Sequence, residues 1–152
     1  MNSKDFKNIF NEIARENGFE KAYSGWFKES QECMLVLDLQ KSNFGDYYEM
    51  NVKIFVQGVF NNHYVKSKYL VKNDTGDIFT RPPKELCDVL TFDDIQMTNE
   101  ERVIYTKQLF NEFIVPFAQK AISISGIREL QAQGSIFILP AVEEELQKLL
   151  TK

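Results

Sequence analysis

The chain has 152 residues but only one histidine, His63, and two cysteines, Cys33 and Cys87. One histidine cannot form a His-rich metal site, and any Ser-His-Asp or Cys-His arrangement would have to use His63, which stands in an Asn-rich stretch. The two cysteines lack Cys-x-x-Cys spacing, so we expect free, buried thiols and a reducing, cytoplasmic environment. The sequence therefore predicts no metal site and no catalytic residue of these classes.

Glycines and long apolar runs are scarce as well. The 7 glycines are scattered singly, and neither a GxxxxGK[ST] loop nor a GxGxxG fingerprint is present, so we predict no cofactor. No window approaches the roughly 18 apolar residues of a membrane span, and the start, MNSKDFKNIF, lacks the basic and apolar stretches of a targeting segment. We expect a soluble protein that does not bind membranes.

Positive charge is not in excess either. The chain has 18 basic and 22 acidic residues, for a net charge of −4. The imbalance lies in residues 73–152, which carry 13 acidic and 8 basic side chains. This distribution does not favour a nucleic-acid-binding face, whereas an acidic surface steers association with basic partners.

What the chain does have is a central stretch, residues 32–58, that predicts two long strands. In the second strand, apolar and polar residues alternate from Tyr48 to Val56, which is typical of a half-buried antiparallel strand. The first strand is apolar on both faces in its middle, which places it inside the sheet. Gly45 and its Asn and Asp neighbours supply turn chemistry between the strands, so we predict an antiparallel hairpin.

The residues before this hairpin predict one helix and one strand. Ser3 can cap a helix with an apolar stripe, and Gly18 ends it. The segment 19–30 predicts a first strand with a bend or bulge at Gly25. After the hairpin, residues 58–97 show weak periodicity, with a short strand predicted at 77–81.

The C-terminal part is helical in pattern. Thr98 and Glu101 have the spacing of a capping box, which opens the longest helical pattern of the chain and reaches Ser125. Pro116 lies inside this pattern and predicts a kink, because it has no backbone N–H to donate. Pro140 is suited to be the first residue of a terminal helix.

Together these patterns predict an α+β fold. We expect an antiparallel β-meander of three to five strands, with an N-terminal helix and a long C-terminal helix packed mainly on one face. The length fits a single domain over residues 1–152, and the terminal helix at about 140–151 is either part of that domain or an appendage.

Aromatic residues near the hairpin are the main candidates for a binding surface. If the outward face of the sheet is only partly covered, these side chains and their polar neighbours could form an exposed patch. The other interpretation is cross-strand packing or a second core layer. With Arg81 as a candidate anion contact, the predicted binding residues are Trp26, Phe44, Tyr47, Asn51, Lys53, Phe55 and Arg81.

The run LDLQKSNFGDYY at 37–48, followed by NVKIFVQG at 51–58, resembles a bacterial family known as domain of unknown function 4304. The resemblance extends from the first helix to the long helix near Ile122 and includes the Asn17-Gly18-Phe19 helix exit and the Trp26-Phe27 pair. It implies a small, stand-alone cytoplasmic protein with an α+β fold. It brings no catalytic residues that could be assigned here.

These observations leave more than one function open. The first is a non-enzymatic protein-binding module, of which an immunity-like neutraliser of a bacterial toxin is one form. The alternative is a small-ligand sensor or enzyme, whose pocket would lie between the sheet and the long helix with Arg81, Asp38 or Tyr48 as polar anchors. A structural oligomer is the third interpretation.

Overall fold

The computed structural model describes residues 1–151. Its regular elements, in chain order, are α1 Ser3–Glu16, β1 Glu20–Ala22, β2 Gly25–Glu29, β3 Cys33–Lys41, β4 Tyr48–Val56, α2 Lys68–Lys72, β5 Ile78–Thr80, α3 Asn99–Leu109, α4 Val115–Ala121, α5 Ile124–Ala132 and α6 Pro140–Leu150. Short 3-10 turns occupy Val59–Asn61, Lys84–Leu86 and Asp88–Leu90, and a π-helical turn, Phe110–Ile114, joins α3 to α4.

The five strands form one antiparallel sheet in the order β1-β2-β3-β4-β5. Every strand pairs with the next one along the chain, so the sheet is a meander and the predicted α+β fold is confirmed. The segment 19–30 differs from the prediction of a single strand with a bulge. It contains two strands, because Tyr23 and Ser24 both have positive φ (53° and 66°) and form the tight turn of a hairpin.

The main core lies between one face of the sheet and the helices α1, α3, α4, α5 and α6. Trp26, Leu37 and Val52 lie side by side on this face. The ring of Phe10 in α1 packs edge-on against Trp26, with 4.6 Å between ring centroids, and its centroid is 5.0 Å from that of Phe110. The helices therefore cover mainly one face of the sheet, as predicted.

The long C-terminal helical pattern is divided into three helices. At the predicted kink, the π-helical turn lets α4 begin at Val115, so that Pro116 lies in the first turn of the new helix, where its missing N–H is tolerated. Ser123 then caps α5 by accepting a hydrogen bond from the Gly126 N–H at 3.0 Å.

The terminal helix α6 begins at Pro140, as predicted, and packs on the core. Val142 and Leu146 are buried in the main core cluster. On its other flank, Glu145 accepts a hydrogen bond from the Phe60 N–H at 2.6 Å, which ties α6 to the 3-10 turn after β4.

The opposite face of the sheet, here called the outer face, is covered along part of its length by α2. Leu70 and Val71 of α2 form a second, smaller core cluster with Phe27, Met34, Val36 and Phe55. The outer face beyond this cluster carries polar side chains, and these form the candidate site.

Candidate functional site

The candidate site begins where the outer face changes from apolar to polar. The register pairs Val36 with Lys53 and Asp38 with Asn51, and Lys53 in turn with Phe79 of β5. Because side chains alternate along a strand, these residues project to the same face as Phe55. Lys53 therefore lies at the boundary, with the apolar cluster on one side and the polar residues on the other.

These polar residues line a cleft of about 440 Å³, here called the outer-face cleft. β2 pairs with β3 only up to Leu37, so the end of β3 has no neighbour on that side, and Lys7 of α1 also lines the cleft. The lining residues are Lys7, Asp38, Leu39, Gln40, Lys41, Asn51, Lys53, Lys72, Asn73, Asp74, Thr75, Phe79 and Arg81.

Asn51 is the centre of a hydrogen-bond network across the floor of the cleft. Its amide nitrogen donates to Asp38 Oδ2 at 3.3 Å and to Gln40 Oε1 at 3.0 Å. Its amide oxygen accepts from Arg81 Nε at 3.3 Å and Nη2 at 3.2 Å, and Nη2 also contacts Glu49 at 3.0 Å. Both ends of the Asn51 amide are thus used, so the network holds Arg81 in a defined position above the sheet.

Lys53 is a buried cation with only 4% of its surface exposed. Its ammonium donates to the carbonyl oxygens of Leu70 at 3.2 Å and Val71 at 2.7 Å, in the last turn of α2. Burial lowers the pKa of Lys53, and the nearby Asp38 opposes this shift. Since its three donors are directed mainly at α2, we assign Lys53 a structural role as the anchor of this helix.

Basic residues outnumber acidic ones in the cleft. Five of the lining residues are cationic (Lys7, Lys41, Lys53, Lys72 and Arg81), whereas two, Asp38 and Asp74, are acidic. Asp38 forms an ion pair with Lys72 at 3.3 Å. Two further carboxylates, Asp46 and Glu49, pair with Lys41 and Arg81, so the cleft and its immediate partners hold five cations and four carboxylates. The cleft therefore keeps a small excess of positive charge in a protein whose net charge is −4.

Lys7 is the cation with the least compensation. Within residues 1–151 it forms no ion pair with a carboxylate, and its ammonium lies 5.3 Å from the centroid of the Tyr48 ring. Burial lowers the pKa of Lys7, and the positive charge of Lys72 lowers it further, with Asp38 opposing both. A bound anion would relieve this repulsion, so the arrangement is suited to hold phosphate or carboxylate oxygens.

The structure brings only some of the predicted binding residues together. Asn51, Lys53 and Arg81 share the outer-face cleft. Phe44 lies at the tip of the β3–β4 hairpin with 94% of its surface exposed, and Tyr47 lies at the end of the same loop, half-buried.

The aromatic residues do not form one exposed patch. Trp26 is 1% exposed in the main core, where its indole N–H donates to Asn11 at 3.0 Å, and Phe55 is buried in the cluster under α2. They lie on opposite faces of the sheet, because the register that pairs Trp26 with Leu37 places Phe55 opposite Met34. For these two residues the packing interpretation is therefore the correct one.

The space between the sheet and the long helix is filled rather than open. Phe110, Ile114 and Ala118 are buried there. Of the anchors expected for a pocket in this place, Asp38 lies on the outer face, and Tyr48 donates its hydroxyl to the Ser3 carbonyl at 2.9 Å. Asp38 and Tyr48 therefore do not converge on that space, whereas Asp38 and Arg81 line one cleft on the other face.

Sequence reasoning missed Lys7 and Lys72. Lys72 belongs to a basic stretch typical of a solvated loop, and Lys7 lies on the polar face of α1, so neither residue shows a local signal. The available signal was on the strands, where Asp38 ends the apolar row of Met34 and Val36 and where Asn51 and Lys53 belong to the polar row of the next strand, which together indicate a polar region on one sheet face.

The surroundings of both cysteines disfavour the thiolate form. Both are free, and burial raises the pKa of Cys33 to about 12 and also raises the pKa of Cys87.

Within residues 1–151, no group of three or more His, Cys, Asp or Glu side chains could hold a metal ion. None of the described helices is both long and apolar enough to span a bilayer.

Comparison with known proteins identifies the family of the chain. The model of the family described as "Domain of unknown function (DUF4304)" matches residues 10–120, which include the whole sheet, α2 and every charged residue of the cleft except Lys7. No curated protein and no solved structure matched the chain. Because the match covers well over half of its length, the chain belongs to the domain of unknown function 4304 family.

Proposed function

We propose that the protein is a non-enzymatic binding protein whose ligand carries an anionic group held in the outer-face cleft. The observation that supports this best is Lys7, a partly buried ammonium that lies near Lys72 and Lys41 and has no carboxylate partner within residues 1–151. Burying a cation without a partner is costly unless another group compensates it. A ligand anion supplies that compensation.

The residues of the cleft have different roles in this proposal. Lys7, Lys72 and Arg81 are the donors assigned to the ligand, because they line the cleft and, unlike Lys53, are not bonded to the backbone of α2. Asp38 and Asn51 orient Lys72 and Arg81 through the contacts described above. An arginine guanidinium and lysine ammonium groups together are a common means of binding phosphate or carboxylate oxygens.

The proposal is tested by titrating the protein with inorganic phosphate at low ionic strength, followed by the amide NMR shifts of the cleft residues. We expect saturable shifts and an affinity reduced at least tenfold in Lys7→Met, since a hydrogen bond to a charged group contributes about 1.5–3 kcal/mol. Lys107→Met is the matched control, because Lys107 is exposed on α3 and the variant has the same net charge. Absence of saturable binding, or equal weakening by both variants, would contradict the proposal.

A protein partner is the second candidate, and Phe44 is the observation that favours it. Phe44 is 94% exposed at the hairpin tip, more than any other large apolar side chain in residues 1–151, and aromatic residues are enriched among the anchors of protein interfaces. A toxin neutralised in an immunity-like manner would be one such partner. Phe44 replaces the four-residue aromatic patch as the basis of this hypothesis.

The protein-partner hypothesis is tested by affinity purification from the native cells at moderate salt, with the copurifying proteins identified by mass spectrometry. We expect wild type and Tyr69→Ala to retain one stoichiometric partner and Phe44→Ala to lose it. Tyr69 is a suitable control because it is an exposed aromatic on α2, away from the hairpin tip. If Phe44→Ala captures the partner as well as wild type does, the hairpin tip is not the interface.

A further inference from the structure

A second groove lies beside the outer-face cleft, at the edge of the sheet. β5 pairs with β4 only as far as Val52, and the chain returns to this edge at Thr91, which bridges to Tyr47. The intervening residues loop outward and leave a groove of about 530 Å³, here called the edge groove. Its walls are mostly apolar, with the partly exposed Tyr47 and Cys87 beside the buried Met50 and Leu90.

Arg81 connects the two spaces, because it lines both the outer-face cleft and the edge groove. Its Nε and Nη2 groups are held by Asn51 and Glu49, whereas Nη1 has no hydrogen-bond partner in residues 1–151. The guanidinium therefore presents a free donor at the boundary between a basic cleft and an apolar groove. A ligand that binds at this boundary would contact cationic side chains on one side and apolar side chains on the other.

From this juxtaposition we infer that the ligand is an anionic amphiphile, with its charged group among the cations of the outer-face cleft and its apolar chain in the edge groove. The inference rests on the proposed function and specifies its ligand class. The observation that supports it is the position of Arg81, which lines both spaces. A small inorganic anion would contact the cations of the outer-face cleft only and would leave the edge groove empty. An uncharged apolar ligand would leave Lys7 uncompensated.

The test compares inorganic phosphate with n-hexyl phosphate by isothermal titration calorimetry on the full chain. Each methylene group removed from water increases affinity by about fourfold, so burial of only part of the hexyl chain should give at least tenfold tighter binding. In the wild-type complex we expect NMR cross-relaxation between the hexyl protons and the ring protons of Tyr47, the half-buried aromatic of the groove wall. This measurement does not depend on any variant folding correctly.

A variant pair tests the groove separately from the cleft. Tyr47→Ser removes a ring from the edge groove, and we expect it to reduce the advantage of hexyl phosphate at least threefold while phosphate affinity stays unchanged. Tyr69→Ser, on α2 and outside both spaces, should change neither affinity.

The outcomes separate this inference from the proposed function. If phosphate binds and hexyl phosphate binds no more tightly, or if its chain makes no contact with the ring of Tyr47, the inference is overturned and the anion site stands. If neither compound binds, both the inference and the proposed function are overturned.

Discussion

At the scale of single residues, two carboxylates show how local surroundings decide the pH dependence of stability. Asp77 accepts hydrogen bonds from the Val56 N–H and the Tyr64 hydroxyl, both at 2.9 Å, but burial outweighs these contacts and raises its pKa above 3.8. Asp93 is exposed and accepts from the backbone N–H groups of Asp46 and Asp94, which lower its pKa. The pKa values of two aspartates in one protein are therefore shifted in opposite directions.

We predict that the stability of the Asp77→Asn variant increases relative to that of wild type as the pH rises from below 3.8 to neutrality. With a raised pKa, the contribution of Asp77 to stability is fully present below pH 3.8 and is lost as the pH rises through the folded-state pKa. Asparagine can still bond Val56 and Tyr64 but never ionises, so the variant avoids this loss. Urea unfolding at pH 3.5, about 5 and about 7 measures the difference.

Asp93→Asn is the control, because its stability relative to wild type should change with pH in the opposite direction. Because the pKa of Asp93 is lowered, its contribution is present above pH 3.8 and is lost as the pH falls through the folded-state pKa. This variant should lose stability relative to wild type as the pH rises. A pH-independent difference for Asp77→Asn would show that burial does not dominate at this carboxylate.

At the scale of elements, the sequence predicts those whose signals are local. The β3–β4 hairpin follows from apolar alternation between Tyr48 and Val56, and its register extends over both strands. The capping box at the start of α3 is present as predicted, with Thr98 Oγ1 accepting from the Glu101 N–H at 3.1 Å and Glu101 accepting from the Thr98 N–H at 3.0 Å. In both cases neighbouring residues suffice to determine the conformation.

Elements that depend on distant contacts could not be predicted in the same way. The five residues of α2 are too few to show helical periodicity. The helix is held by Lys53 of β4, which donates to its carbonyl groups, and by the packing of its own Leu70 and Val71 on the outer face of the sheet. The same limit applies to the site. Asn51 and Lys53 stand on one strand and could be grouped, but Lys7 and Lys72 reach the cleft from two other elements, and only tertiary packing brings them there.

At the scale of the whole molecule, the question is whether α6 unfolds together with the sheet. Leu146 is completely buried in the main core cluster, which also contains Trp26, and Leu150 on the same helix is 59% exposed. Trp26 is the only tryptophan, so its fluorescence reports on the core around α1 and the sheet, whereas far-UV circular dichroism also reports on α6. These two probes can therefore distinguish an integral helix from an appended one.

We predict that Leu146→Ala lowers the free energy of unfolding by about 2–5 kcal/mol, because it removes buried carbon and leaves a cavity. Both probes should shift to the same lower urea midpoint, since a shared core makes unfolding of α6 and the sheet one cooperative transition. Leu150→Ala, a change of the same chemistry at an exposed position, should stay within about 0.5 kcal/mol of wild type. If Leu146→Ala moves the circular dichroism transition and leaves the Trp26 transition in place, α6 is an appendage that unfolds independently of the sheet.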